Sequence, residues 1–406
     1  MARSRPYDAV IIGAGPAGSA TAALLAGRGY RVALLDRAAF PRDKACGEYT
    51  SPETEAVLAR IGALDAVERA GARRLSSMRV ISPGGRAFTM EYSKPGEQNG
   101  KHVLATTRRE LDAALVEFAR SRGAEVRERV KVEGVTLQEG RVAGVVTRAG
   151  RAGVEIPARL VIAADGVHSA VVRSLGIRAP LRWPVALGMV AHYAGYSGLD
   201  DWGEMHVSRA GYAGLAPQSR GMVNVGLVMP MSRAKQAPGA SAAERFERFA
   251  FSFPGVEARL SGAARVSSVR GVGPIGARVR RTSGPGYMLV GDAAGFFDPF
   301  TGEGVYKALR GAELAAHVAA SALARNDLTA ASLARYSALR RREFTSKDLV
   351  CRMVQLFVAL PPAMDYAVAR LDRRERVRDI MTGVLGDFAD ARAALSPLYL
   401  WSLLRP

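Results

Sequence analysis

The stretch YDAVIIGAGPAGSATAALLAGRGYRVALLD, residues 7–36, decides the fold. Its apolar run Ala9–Ile12 reads as a buried parallel strand, because a strand covered on both faces has no polar alternation. Pro16 to Gly27 is rich in Ala and Leu and reads as a helix, and Arg31 to Leu35 reads as the next strand. Between strand and helix stands Gly13-Ala14-Gly15-Pro16-Ala17-Gly18, a G-x-G-x-x-G. Alone this pattern is a weak signal. After a strand and at the head of a helix, it marks a dinucleotide site. Gly13 permits the tight turn, Gly15 lets the backbone approach a pyrophosphate, and Gly18 brings the helix close to the sheet. Ala17 lies in the first helical turn, where unpaired N–H groups and the dipole favour that anion. Asp36 ends the second strand, placed to accept hydrogen bonds from an adenosine ribose, with Arg37 beside it. This half of the sequence does not separate FAD from NAD.

The 406 residues allow two or three domains, or one large α/β body carrying an insertion. Two cysteines, Cys46 and Cys351, cannot form a disulfide framework and point to a reduced, cytoplasmic protein. The excess of 57 Lys and Arg over 38 Asp and Glu gives +19. Such a field suits phosphates, acidic lipid headgroups or an acidic carrier protein. It fits equally well the Arg-rich composition of a GC-rich genome. There is no nucleic-acid motif and no clustered basic arm, so nucleic acid is not an expected partner. No metal-ligand cluster stands out. No run of about 18 apolar residues is present, so no helix is expected to span a membrane. The N-terminal apolar run is too short for the core of a signal peptide.

Distant strands add the decisive motifs. Asp165-Gly166 closes one strand and Gly291-Asp292 another. Asp298-Pro299-Phe300-Thr301-Gly302-Glu303-Gly304 then opens a helix that continues through Val305 to about residue 324. Each alone is an ordinary strand-to-turn junction. Together with the first glycine turn they suit an elongated flavin, with Asp292 placed for ribityl or phosphate-linked oxygens. The helix from Gly304 can point its positive end at the flavin N1–C2=O edge.

Two further motifs carry a resemblance. Phe40-Pro41-Arg42-Asp43-Lys44-x-Cys46-Gly47 and Arg108-x-x-Leu111-Asp112 are similar to segments of the geranylgeranyl reductase family. That family belongs with the glutathione-reductase-type FAD proteins, alongside aromatic hydroxylases and flavin halogenases. The likeness runs from about Tyr7 to about Ala320. It implies that Arg108 contacts FAD and that Cys46 and Gly47 lie near the isoalloxazine ring. Arg42 and Lys44 could hold FAD phosphates or draw in NADPH, and a solvated charged loop is an equal reading of them. Pro299, Gly302, Gly304 and Val305 would sit at the ring. The hydroxylases follow the last glycine with Asn, where this chain has Val305, and the Trp-x-Trp-x-Ile-Pro segment of tryptophan halogenases is missing. The family's cavity-lining Tyr-x-Trp-x-Phe-Pro is matched by Tyr212-Ala213-Gly214-Leu215-Ala216-Pro217. The Tyr and Pro are kept, and the two large aromatics are Gly and Ala, which predicts a wider or reshaped cavity.

The expected fold is therefore α/β. A Rossmann-like FAD-binding domain (1–75, 101–178, 285–345) carries an inserted β-rich substrate domain (76–100, 179–284) and a helical C-terminal segment (346–406). A hairpin over 76–92 turns at Pro83-Gly84-Gly85, and a meander over 131–163 turns at Glu139-Gly140 and Ala149-Gly150. The expected activity is FAD-dependent reduction of carbon–carbon double bonds in a hydrophobic, isoprenoid or polyketide-like chain. A flavin monooxygenase is the runner-up and a non-catalytic prenyl-chain carrier the remote alternative. Without a second G-x-G-x-x-G, NAD(P)H or another reductant would bind transiently. Cys46 and Tyr212 are the candidates for assisting protonation. His192, His206 and Trp202 read as packing or surface residues. The substrate could be free, membrane-dissolved or carrier-tethered. The C-terminal helices could touch a membrane surface, cap the substrate domain or contact a second copy.

Overall fold

The computed structural model describes residues 5–93, 100–149, 152–181, 185–234 and 241–405. Strand β1 (Tyr7–Ile12) leads into helix α1 (Pro16–Ala26) and strand β2 (Val32–Leu35). β1 pairs in parallel with β2 on one side and with the end of strand Ala152–Ala163 on the other, Ile11 standing opposite Leu34 and Ile162. Strand Tyr287–Leu289 extends the parallel run beyond Ala152–Ala163, and Glu125–Arg127 extends it beyond β2. Val10, Ile11, Leu34 and Ile162 are fully buried, as expected of strands covered on both faces. The α1 helix packs between helices Arg108–Ser121 and Gly304–Ala324, which its small side chains allow. Close approach also explains the glycines. Gly13 takes φ +94, and a Cβ on Gly18 would lie 1.8 Å from the Gly13 carbonyl oxygen.

Strands Val132–Gln138, Arg141–Ala149 and Ala152–Ala163 form an antiparallel meander on this sheet. Its Glu139-Gly140 turn has both residues at positive φ. The expected Ala149-Gly150 turn lies partly outside the described residues. A second sheet is built from strands of residues 186–275 together with the hairpin Ser77–Ile81 and Ala87–Glu91. The hairpin joins it through a parallel pairing with Trp202–Ser208. Period-two alternation sorts its side chains. Leu215, Val225 and Leu227 pack with Phe246 and Val256 of the two short helices on one face. Met205, Val207 and Tyr212 turn to the other face.

Over that second face lie the C-terminal helices: Ala330–Ala359, Pro361–Arg373, Glu375–Leu385 and Pro397–Leu404. Among the described residues, no helix is long and apolar enough to cross a membrane. The layer is pinned to the hairpin by Asp365, whose Oδ1 accepts from the Ser82 hydroxyl and the Gly84 N–H, both at 2.6 Å. Asp365→Ala removes both bonds. Denaturant unfolding should show a loss of about 1–3 kcal/mol, with the earliest protease cleavage in 346–405. An unchanged midpoint would show that apolar packing alone holds the layer.

Candidate active site

One cavity of about 280 Å³ starts at the first turn of α1 and passes the Cys46 loop. It ends between the second sheet and the C-terminal helices. Two helix N-termini open into it, at Gly15–Ala17 and at Gly304–Val305, and neither carries a side-chain cap. Their unpaired N–H groups suit an anion. The first end is reinforced by two arginines. Buried Arg108 donates through Nε and Nη2 to Asp112, at 2.9 and 2.8 Å, and Arg42 meets the same carboxylate at 3.0 Å. Their guanidinium nitrogens would lie 3.6 and 3.8 Å from a Cβ on Gly15. Two arginines thus share the Asp112 carboxylate beside the glycine turn. Although Lys44 opens to solvent, the protein crowded around it and the charges of Arg108 and Arg42 lower its ammonium, and Asp292 and Asp112 offset this only in part. A pyrophosphate in this cradle would face both guanidinium groups and the free N–H groups of the first turn. Asp36 is fixed at the turn, accepting from the Ala14 and Ala38 N–H groups at 2.8 Å each. Each oxygen keeps a lone pair for a ribose.

The remaining expected site residues divide by position. Lys44, Cys46, Gly47, Gly166, Gly291 and Asp292 line the middle of the cavity. Tyr212, Pro299 and Gly302 line its inner part. Gly13 and Gly18 shape the turn from behind. Arg37 is exposed and lies off the wall, as does Asp165. The Asp165 Oδ2 accepts from the Ala170 N–H at 2.7 Å, so this side chain holds the turn that presents Gly166. Burial raises the Asp165 carboxyl, whose Oδ1 has no partner among the described residues.

The Cys46 loop is gripped from the second sheet, which spacing in the sequence did not reveal. Its sulfur accepts from the Glu48 N–H at 3.4 Å. Glu48 is buried with φ +53. Its Oε1 accepts from the Arg108 N–H at 2.8 Å, setting a carboxylate at that helix's positive end. Its Oε2 meets His192 Nε2 at 2.6 Å and Asn224 Nδ2 at 2.9 Å. Asn224 also donates to the Cys46 carbonyl at 3.2 Å. His192 is therefore no mere packing residue. Burial would lower its pKa, yet the Glu48 hydrogen bond and charge raise it on balance. His206 makes a separate pair with Glu204 at 3.0 Å. Burial would raise Glu204, but His206 and Arg259 hold it down at about 2. Trp202 is half-buried at a strand start.

Beyond the cradle the cavity becomes an apolar chamber. Seven of the chain's 12 methionines line it, soft side chains suited to an irregular apolar guest. Phe357, Met364 and Leu403 of the C-terminal helices supply part of the wall. The expected widening at Gly214 is partly filled, since a Cβ there would stand 3.4 Å from Met205 Cε. At the ring end, Tyr212 packs edge-on against Phe300 with centroids 5.0 Å apart. Its hydroxyl donates to Asp298 Oδ1 at 2.7 Å. Glu303, at the head of the Gly304 helix, pairs with Lys307 and Lys347 and accepts from the Cys351 thiol at 2.9 Å. Burial and Glu303 push that thiol well up.

Comparison with known proteins agrees with this geometry. Residues 6–347 match the FAD binding domain family. The chain is 32% identical over 346 residues to digeranylgeranylglycerophospholipid reductase 1 of Methanococcoides burtonii, covering 83% of this chain and 80% of the relative. It is 30% identical over 396 residues to menaquinone reductase of Mycolicibacterium smegmatis, covering 94% and 91%. A solved geranylgeranyl bacteriochlorophyll reductase-like protein of Thermoplasma acidophilum superposes with a TM-score of 0.79 at 24% identity, covering 98% and 97%. The fold and cradle define an FAD-dependent oxidoreductase. The chain belongs to the FAD-binding family, in its geranylgeranyl reductase branch. Bound FAD supplies two-electron hydride exchange at its ring. Arg108, Arg42 and Lys44 would hold its phosphates, and Asp292 and the Gly304 helix its inner half.

Asp112→Ala leaves Arg108 buried without its carboxylate. Such a loss costs about 3–5 kcal/mol, and the purified protein should lose stability on that scale and retain less flavin. Unchanged stability and flavin content would contradict the shared clamp. The His192 pair gives a pH signature. Its folded pKa lies above the unfolded value of about 6.5. Its contribution is complete below that value and is lost as pH rises through the folded pKa. Unfolding curves of wild type and His192→Gln should therefore converge as pH rises through neutrality, and parallel curves would contradict the pairing.

Proposed function

We propose that the protein reduces carbon–carbon double bonds of a polyisoprenoid chain. The observation that carries this reading is the continuity of the methionine-lined chamber with the FAD cradle. A long apolar chain can lie in the chamber with one double bond at the ring, near Cys46 and Tyr212. The walls exclude water and orient the chain. A polar or small aromatic substrate would leave most of this apolar surface unused. The reductases among the relatives act, by their names, on lipids or a quinone, which supports a greasy substrate. NAD(P)H or another soluble donor would renew the reduced flavin through transient contact.

Delivery from lipid fits better than delivery by a carrier protein. Leu356 lies exposed on helix Ala330–Ala359, Leu360 just past its end, and Leu398 and Trp401 on the last helix, at 52, 58, 73 and 66%. The same two helices turn Phe357 and Leu403 into the chamber. A surface of this kind suits the interface of a bilayer with anionic headgroups. The test is anaerobic. Protein reduced with dithionite is mixed with vesicles containing a geranylgeranylated lipid, and the product is weighed. A gain of two hydrogens with concurrent flavin reoxidation is expected. An oxygenated product formed only in air would favour the monooxygenase, and tight binding without turnover the carrier.

A further inference from the structure

We propose that the Tyr92 hydroxyl is a substrate-recognition point, donating to a carbonyl oxygen carried by the polyisoprenoid chain. This rests on the reading of the chamber as the site of that chain. Three tyrosines line the cavity: Tyr49, Tyr92 and Tyr212. The Tyr212 hydroxyl is already committed to Asp298, at 2.7 Å. Tyr49 donates to the Tyr92 oxygen at 3.3 Å. Two phenols hold two protons and share one bond, so one O–H is left over. It belongs to Tyr92, which is 8% exposed and has no acceptor among the described residues.

A buried donor without an acceptor is costly, so this O–H calls for a partner. An ordered water needs two to four polar neighbours of its own. The walls beside the pair are apolar. Met78 Cε and Tyr49 Cε2 would both lie 3.0 Å from a Cβ on Gly203. The Tyr92 ring meets the Phe388 ring edge-on, with centroids 6.5 Å apart. Met90, two residues before Tyr92, belongs to the same apolar cluster. Burial raises both phenols, so each keeps its proton.

The same walls select the kind of oxygen. Among the described residues, the charged side chains that line the cavity are Lys44, Arg108 and Asp292, all at the cradle. A phosphate or carboxylate beside Tyr92 would be buried without a cation. An alcohol would accept from Tyr92 but bring a further proton into the apolar space. A carbonyl oxygen takes the Tyr92 proton and brings none, so every O–H then has an acceptor. Tyr49 sets the place of that oxygen, since a Cβ on Gly302 would lie 3.1 Å from Tyr49 Cδ1. The carbonyl is thus held on the far side of the Tyr49 ring from the Gly302 loop. No bond is made or broken at Tyr92, which acts in specificity and positioning.

Tyr92→Phe tests this, because it removes the hydroxyl and keeps the ring. The probes are a polyprenyl chain ending in a methyl ketone and the same chain as a plain hydrocarbon. Binding to the oxidised holoprotein is measured by displacement of a fluorescent polyene, so no turnover is needed. The variant should bind the ketone about tenfold more weakly than wild type does, and the hydrocarbon equally well. In infrared spectra of the isotope-labelled ketone bound to wild type, the C=O stretch should lie below its position in an alkane solvent. This second reading serves if the variant folds poorly. A stretch at the alkane position overturns the proposal. So does a variant that binds the ketone as wild type does, or that loses both chains alike. Wild-type protein that binds neither chain overturns the reading of the chamber itself, and the proposal with it. Chains ended in a quinone ring and in an ester extend the comparison, and the one that Tyr92→Phe weakens identifies the carrier of the carbonyl.

Discussion

Everything in the structure depends on one carboxylate serving two arginines. Asp112 neutralises half of the charge that Arg108 and Arg42 bring to Gly15, where α1 begins. Without it, a buried guanidinium would stand alone at a cost of several kcal/mol. The shared carboxylate holds both guanidinium groups beside the glycine turn, where the free N–H groups of α1 also point. The Thr107 cap on the Glu110 N–H fixes the helix that presents both Arg108 and Asp112.

From that clamp outward, three carboxylates, of which Glu48 and Glu303 are buried, join the parts of the molecule. Glu48 ties the Cys46 loop and the Arg108 helix to the second sheet through His192 and Asn224. Asp298 ties the second sheet to the ring loop and to the long C-terminal helix. Glu303 ties the start of the Gly304 helix to Lys347 of that same C-terminal helix, and Lys347 reaches Asp387 at 2.8 Å. Apolar burial supplies the bulk of stability, while these pairs set the position of cradle, second sheet and C-terminal helices relative to one another.

The parallel core and the glycine turn were legible in the sequence because they are local: a strand, a fixed glycine spacing and a helix within 30 residues. The Gly304 helix was legible for the same reason, and the structure places it over Gly304–Ala324. The turn-holding bond of Asp165 could not be read from the sequence, because an Asp-Gly at a strand end looks the same whether it faces a ligand or caps a turn. Glu48, His192 and Asn224 could not be joined from sequence, since 144 and 176 residues separate Glu48 from its partners. Asp298 stood in a quoted motif, but its role depends on Tyr212 and Gln355, which only the packing of sheet and helix brings to it. The Met205 side chain over Gly214 belongs to the same class, since a cross-strand neighbour fills a space that the motif alone suggested was empty.

The most direct test of the account is a crystal structure of the protein with FAD and an unreactive polyprenyl analogue. The account predicts the pyrophosphate at Gly15 between Arg108 and Arg42, and the ring between Cys46 and Gly304. The analogue should run past Tyr212 and Met205 toward Leu403. A chain bound outside this chamber, or a flavin ring away from the Gly304 helix, would contradict it.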